Sequence, residues 1–308
     1  MTESKIAMRD CIVVGAGAAG LSASLALARA RRSILVIDAG GQSNLAASSI
    51  GSGNDRRRPS QFYAAGSAAL TVYRSVELYR GEVTHGVRED DGSFTVTFSD
   101  GRREQAQSMV LATGMDYRHP RLPGMEDRWG SSVFHSPFCH GWDNANRTLG
   151  VLGGGAGAVH GALSLRAWSD RITLLTNGSK LTDEQCEQLE VGEVTWDERP
   201  ITGLDGPGAE LRTAVFDDGD ELSINSLLVR TSLHQRSSLA RDLGASLTEP
   251  DEILDVEAIR VDALSRTGVP GLYAAGDAAT SVVPSMAAAA ASGHLAGTSA
   301  AVRLGAGC

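Results

Sequence analysis

The 308-residue chain lacks any surplus of positive charge: 28 Lys and Arg stand against 37 Asp and Glu, a formal net charge of −9, with an isoelectric point near 5.3. Nucleic-acid grooves and anionic membrane surfaces are met by clustered Lys and Arg, so neither partner is expected. The basic run Arg56-Arg57-Arg58 reads as a solvated loop. No stretch approaches the ~18 consecutive apolar residues of a membrane span. The apolar segment near the N-terminus is broken by Gly15, Gly17 and Gly20, unlike a signal peptide. Cysteine is scarce too. Cys11, Cys139, Cys186 and Cys308 show neither metal-ligand spacing nor a disulfide framework, so a reducing cytoplasm is the expected setting. The length suits two domains, and with 42% hydrophobic residues each can bury a core.

Glycine, in contrast, is plentiful, at 36 residues gathered in short loops. Residues 11–38 read as an apolar strand, Gly15-Ala16-Gly17-Ala18-Ala19-Gly20, an Ala/Leu-rich helix, a second apolar strand and Asp38. This is G-x-G-x-x-G in the context that gives it meaning. Gly15 makes the tight turn, Gly17 admits a pyrophosphate close to the backbone, and Gly20 lets helix and strand approach. The helix N-terminus then faces the negative charge, and Asp38 can accept from a ribose. A second copy starts 138 positions later, with Gly153, Gly155 and Ala158 in the three small positions. The repeat extends further: FSDGRREQAQSMVLAT (98–113) aligns without gaps on FDDGDELSINSLLVRT (216–231). Each reads as a hairpin with an Asp-Gly turn followed by a buried strand. Near the C-terminus, TGVPGLYAAGDAA (267–279) ends an apolar strand in Gly276-Asp277, and a helix starts in the Ala-rich segment from Met286 to Leu295.

Between the two copies lies HSPFCHGW (135–142). Ser136 followed by Pro137 reads as a helix N-cap and first helical residue. Cys139 then falls in the first turn, where backbone N–H groups and the adjacent His140 favour a thiolate.

The first fingerprint, VLATG (110–114), GGGxxA and YAAGD (273–277), in this order, resemble flavoprotein disulfide reductases of the low-molecular-weight thioredoxin-reductase type. HSPFCHGW is similar to the HCPYCHGW of the bacterial small-molecule dithiol oxidases of natural-product pathways. The resemblance implies an α/β fold of two Rossmann-like, three-layer ββα nucleotide-binding domains, the second inserted into the first. Residues 1–115 and 232–308 would bind FAD, and 116–231 would form an NAD(P)-binding-like domain carrying the redox turn. FAD contacts are implied for Gly15, Gly17, Ala18, Ala19, Gly20, Asp38, Ala39, Asn44, Thr113, Gly114, Gly276, Asp277, Met286 and Ala287. Cys139 matches the sulfur that faces the flavin, Ser136 the missing partner sulfur, His140 the general acid or base, and His135 the first histidine of the pattern. A small-molecule substrate, possibly a dithiol, O2 as acceptor and a homodimer are implied as well.

Three departures bear on that expectation. Ser136 cannot form an internal disulfide. Asn177 stands where an acid would hold an NAD ribose, with no arginine pair for an NADP phosphate, so use of NAD(P)H is doubtful. The loop 48–59 diverges from the family's pattern. Ser136 is either an introduced trap or a natural loss, and the other two departures favour the latter. Two other readings stay open beside the dithiol oxidase: a diverged flavin oxidase or dehydrogenase with no dithiol relay, or an NADPH-dependent thioredoxin-type reductase. A non-catalytic flavoprotein is a further class. Among the remaining candidates, Cys11 is expected in the core, Cys186 on a surface helix, and Cys308 in a frayed tail. Trp142 is expected to wall a pocket or join the core, and His294 to lie near the flavin.

Overall fold

The computed structural model describes residues 7–41, 59–250, 256–279 and 284–306. Asn44, Cys308 and the loop up to Arg58 fall outside them. The buried apolar run Cys11–Val14 closes β1 (Met8–Val14), and the glycine turn leads into α1 (Ala18–Arg29) and β2 (Ile34–Asp38). After α2 (Pro59–Leu70) come β3 (Val76–Arg80), β4 (Val83–Arg88), β5 (Phe94–Phe98) and β6 (Arg103–Leu111). The chain leaves through β7 (Met115–Arg118). It then forms β8 (Val133–Phe134), α3 (Pro137–His140), β9 (Leu149–Leu152), α4 (Gly155–Leu165) and β10 (Ile172–Leu175). Next are α5 (Asp183–Val191), β11 (Thr195–Asp197), β12 (Ile201–Asp205), β13 (Thr213–Phe216), β14 (Glu221–Ser223) and β15 (Ser226–Val229). It returns through β16 (Ser232–Gln235), antiparallel to β7, and ends with α6 (Leu239–Asp242), β17 (Leu272–Ala274) and α7 (Met286–Ala306).

Two sheets result. In the first, β3-β2-β1-β6-β17 run parallel, and the hairpin β4-β5 adds antiparallel strands to the start of β6. In the second, β11-β10-β9-β15-β8 are all parallel, with β12-β13-β14 as a separate meander. Register decides where function can sit. Val14 pairs with Ile37 and Leu111, and Leu111 with Ala274. The glycine turn, Asp38, Thr113-Gly114 and Gly276-Asp277 therefore emerge side by side at the strands' carboxyl ends, the crevice where open α/β sheets bind ligands. Likewise Leu152 pairs with Leu175 and Val229, and Phe134 with Leu228, so the second glycine turn, Asn177 and the redox turn share the matching end of the second sheet.

Close backbone approach locks the last helix onto the first. A Cβ on Gly293 would lie 2.1 Å from the Ala19 carbonyl oxygen, and one on Gly297 2.4 Å from that of Ala23. α1 is thereby enclosed between the sheet and α7 in an apolar layer that includes Leu27, Ala296 and Ala300. Cys11 is part of this layer and fully buried, as expected.

The two aligned repeats differ in one respect. In the first, β6 runs unbroken for nine residues, serving both the hairpin and the parallel sheet. In the second, the same stretch is split at Ile224-Asn225 into β14 and β15. Asn225 makes the break: its N–H donates to the Thr148 carbonyl and its side-chain oxygen accepts from the Thr148 N–H at 3.1 Å.

Candidate active site

At the first glycine turn each glycine answers a different constraint. Gly15 has φ +107°, and a Cβ there would meet the Ala112 carbonyl oxygen at 2.1 Å. A Cβ on Gly20 would lie 1.8 Å from the Gly15 oxygen. Around Gly17 nothing lies within 4 Å of that position, so its face is open at the start of α1, where the buried Ala18 and Ala19 begin the helix. Gly114, at φ +67°, is also open. Asp38 is half-buried and accepts the Gly40 N–H at 3.1 Å, with exposed Ala39 beside it. Thr113 is half-buried at the end of β6. Gly276, at φ +72°, turns the chain into the half-buried Asp277. Burial holds the Asp277 carboxyl above the usual carboxylate range, opposed by a hydrogen bond that Tyr117 Oη donates at 2.9 Å. Met286 and Ala287 open α7, whose first turn is capped by Ser285 Oγ accepting the Ala288 N–H at 3.1 Å. An open glycine face at a helix start, an acid at the end of the second strand and a second, desolvated acid fit FAD: pyrophosphate on the first, ribose and ribityl hydroxyls on the acids.

The redox turn differs from its expected form. Ser136 takes the N-cap position, with extended φ −127° and ψ 115°, and Pro137 follows, but the serine makes no capping hydrogen bond. Its hydroxyl is buried, with the residue 5% exposed, and has no hydrogen-bond partner among the described residues. The helix that follows is four residues long. A single turn aligns few peptide dipoles. Cys139 is exposed and free. Beside it, His140 Nδ1 donates to the Ser136 carbonyl at 3.3 Å, which leaves Nε2 as the basic nitrogen. Burial pushes His140 below the usual imidazole range, opposed by that hydrogen bond and by Asp143. His135 is pushed down to about 4, mainly by burial and then by the charge of His140.

Several neighbours of this turn carry no signal in the sequence. Rings pack in succession: His119 on Trp129 at 4.5 Å, Trp129 on His135 at 5.8 Å, His135 on His140 at 6.4 Å and Phe134 on His140 at 5.3 Å. Tyr117 closes the group at 4.7 Å from His135. Phe138, 74% exposed, meets the Trp168 ring edge-on at 5.4 Å, and Trp142 is 80% exposed, which excludes the core as its place. His294 is exposed on α7 and His160 on α4. His85 faces Asp242 at 3.3 Å and His234 faces Ser232 at 2.9 Å. Cys186 is half-buried on α5.

At the second glycine turn, Gly155 has φ +73° and an open face, and Ala158 is buried on α4. Asn177 adopts φ +52°, and its side-chain oxygen accepts the Ile201 N–H at 2.7 Å. The asparagine is thus a turn former. Cations near this end are paired: Lys180 with Glu198 at 2.6 Å, and Arg199 with Asp197, Asp218 and Asp220 at 2.7–2.8 Å while lying over the Phe216 ring. Among the described residues no His, Cys, Asp and Glu cluster could hold a metal, and no helix is long and apolar enough to cross a membrane.

The family model for pyridine nucleotide-disulphide oxidoreductases matches residues 9–293. The chain belongs to this family. It is an FAD-dependent oxidoreductase of thioredoxin-reductase-like type. It is 30% identical to thioredoxin reductase tcpT of Claviceps purpurea, over 96% of this chain and 94% of that one. Among solved structures, it is similar to an oxidoreductase from Agrobacterium tumefaciens, with a TM-score of 0.88 at 31% identity over 96% and 97% of the two chains. It is also similar to HlmI, with a TM-score of 0.89 at 31% identity over 97% and 94%.

Proposed function

We propose that this flavoprotein oxidises a thiol-bearing small molecule, with Cys139 as the participating protein sulfur and O2 as the final acceptor. Bound FAD supplies a two-electron acceptor that O2 can re-oxidise. The chain contributes the rest. Gly17, Asp38 and Asp277 would hold the cofactor. His140, neutral and held on the Ser136 carbonyl, is set to take a thiol proton at Nε2. Phe138 and Trp142 offer exposed apolar surface beside Cys139. Cys11 is sealed in the core, its thiol pushed far up by burial, so it supplies no second sulfur. The second sulfur then comes from the substrate: joining Cys139 to a substrate thiol as a mixed disulfide removes two electrons and two protons, an oxidation that bound FAD would supply, and a second substrate thiolate attacks the substrate sulfur of that disulfide, forming the substrate S–S bond as Cys139 leaves as thiolate.

One observation carries this reading: an exposed cysteine beside a neutral histidine, with an unpartnered serine hydroxyl buried where a pairing sulfur would sit. Anaerobic titration with dithiothreitol, followed in the visible spectrum, tests it. The native protein and Ser136→Cys should bleach, and Cys139→Ala should not. Bleaching that survives in Cys139→Ala would favour the second reading, direct reduction of FAD by substrate, which Ser136 also suits. Rapid bleaching by NADPH would instead support a thioredoxin-type reductase and count against O2-linked turnover.

A further inference from the structure

Tyr117 lies on β7, in the ribbon through which the chain leaves the first sheet, and touches both halves of the site. Its hydroxyl donates to Asp277 Oδ2 at 2.9 Å across 160 residues of sequence. Its ring packs against His135 at 4.7 Å, tilted by 51°. Burial and then Asp277 push the phenol far above the ordinary tyrosine range, with a smaller push in the same direction from Cys139. His135 in turn meets His140, whose Nδ1 holds the turn's own backbone at Ser136. One side chain therefore joins the acid suited to a flavin hydroxyl to the turn that carries the exposed sulfur.

We propose that Tyr117 is a positioning residue that couples cofactor occupancy at Asp277 to the reactivity of Cys139. The inference rests on the reading of Asp277 as a flavin acid and Cys139 as the flavin-facing sulfur. A carboxylate has lone pairs for more than one donor. A cofactor hydroxyl arriving at Asp277 shares it with Tyr117, and the phenol ring transmits the rearrangement to His135 and the turn. The coupling runs in both directions: if FAD alters the Cys139 environment, modification of Cys139 alters FAD affinity, with equal factors required only for equilibrium binding and not for a rate. The groups acting on this pair are Asp277, Cys139 and, through His135, His140.

The test needs no turnover. Protein stripped of flavin is treated with iodoacetamide, with and without added FAD, and the alkylation of Cys139 is timed by peptide mass spectrometry. The FAD Kd is read from flavin fluorescence before and after alkylation. In the native chain FAD should change the alkylation rate and alkylation should change the Kd, each by about fivefold or more. Tyr117→Phe keeps the ring and removes the donor. It should still bind FAD but lose both effects to within about twofold, on the same scale. Because the lost hydrogen bond held the Asp277 carboxyl down, FAD affinity in this variant should also begin to fall at a higher pH on acidification. Tyr117→Gln, which keeps a donor but removes the ring, should restore the acid limb without restoring the coupling. Full coupling in Tyr117→Phe, or none in the native chain, overturns the inference. Asp277→Asn separates the two levels. If it leaves the FAD Kd unchanged, the assignment of the flavin acid fails. If it weakens FAD while Tyr117→Phe keeps the coupling, only the inference fails.

Discussion

At the first glycine turn a Cβ on Gly20 would lie 1.8 Å from the Gly15 carbonyl oxygen, whereas the matching position of the second turn carries Ala158, buried without conflict. The strand after the first turn ends in Asp38, half-buried with its carboxylate on a backbone N–H. The strand after the second leads into a turn at Asn177, left-handed, its side-chain oxygen accepting the Ile201 N–H. Topology is shared, but the polar group at the strand end is directed to a ligand crevice in one copy and consumed by a turn in the other. Cations around the second crevice are likewise committed to carboxylates. A repeated fold therefore does not imply a repeated site; function resides in the groups grafted onto it.

The comparison can be broken most severely at its tightest point. Gly20→Ala should lose FAD on gel filtration and shift the urea midpoint by a stability loss on the order of 3 kcal/mol, because the added methyl meets backbone. Ala158→Gly, its counterpart, should cost about 1 kcal/mol of helix propensity and keep the flavin. The next effect belongs to the redox turn. His135 has its imidazole depressed to about 4, so the unfolded chain binds more protons between pH 6.5 and 4. Stability present above pH 6.5 should fall as pH drops through that window, by on the order of 1–3 kcal/mol, and His135→Gln should flatten the dependence in pH-resolved thermal melts. Asn177→Ala removes an acceptor from a backbone N–H and a residue tolerant of positive φ, for about 1–2 kcal/mol with FAD affinity unchanged. Loss of FAD in that variant would contradict the assignment of Asn177 to structure alone. Smallest of all, Lys180→Ala breaks an exposed pair and should move neither the midpoint nor the response to NADPH. A weaker NADPH response in this variant would restore a nicotinamide role to the second crevice.

The cofactor side of the site was legible because its signals are local. Gly15, Gly17 and Gly20 report backbone geometry over six residues, Asp38 closes one apolar strand, and Asp277 lies in the turn just after another. The inserted parallel strands and their meanders were legible from the internal repeat, although no periodicity distinguishes the unbroken β6 from the split β14 and β15. That difference turns on Asn225 reaching Thr148, a contact across 77 residues. The redox turn was legible in its residues and not in its bonding. Ser136 before Pro137 has the composition of a cap, yet its hydroxyl caps nothing, because burial of the residue and a helix of one turn leave it no partner. Tyr117, Trp129 and His119 carried no signal. Their roles come from ring stacking and a single hydrogen bond between segments distant in sequence, which composition and spacing do not encode. The pairing of Asn177 with Ile201 was equally silent, although the loss of an acid at that position was not.

The glycine contacts of α7 have a consequence for how this chain is made. Everything between β7 and β16 is contiguous, so that unit can close as soon as it is synthesised. The first sheet has to wait for β17, Gly276-Asp277 and α7, whose Gly293 and Gly297 key onto α1 only after the β7–β16 unit has been synthesised. On a ribosome the turn that carries Cys139 can therefore form before the crevice at the end of the first sheet is complete.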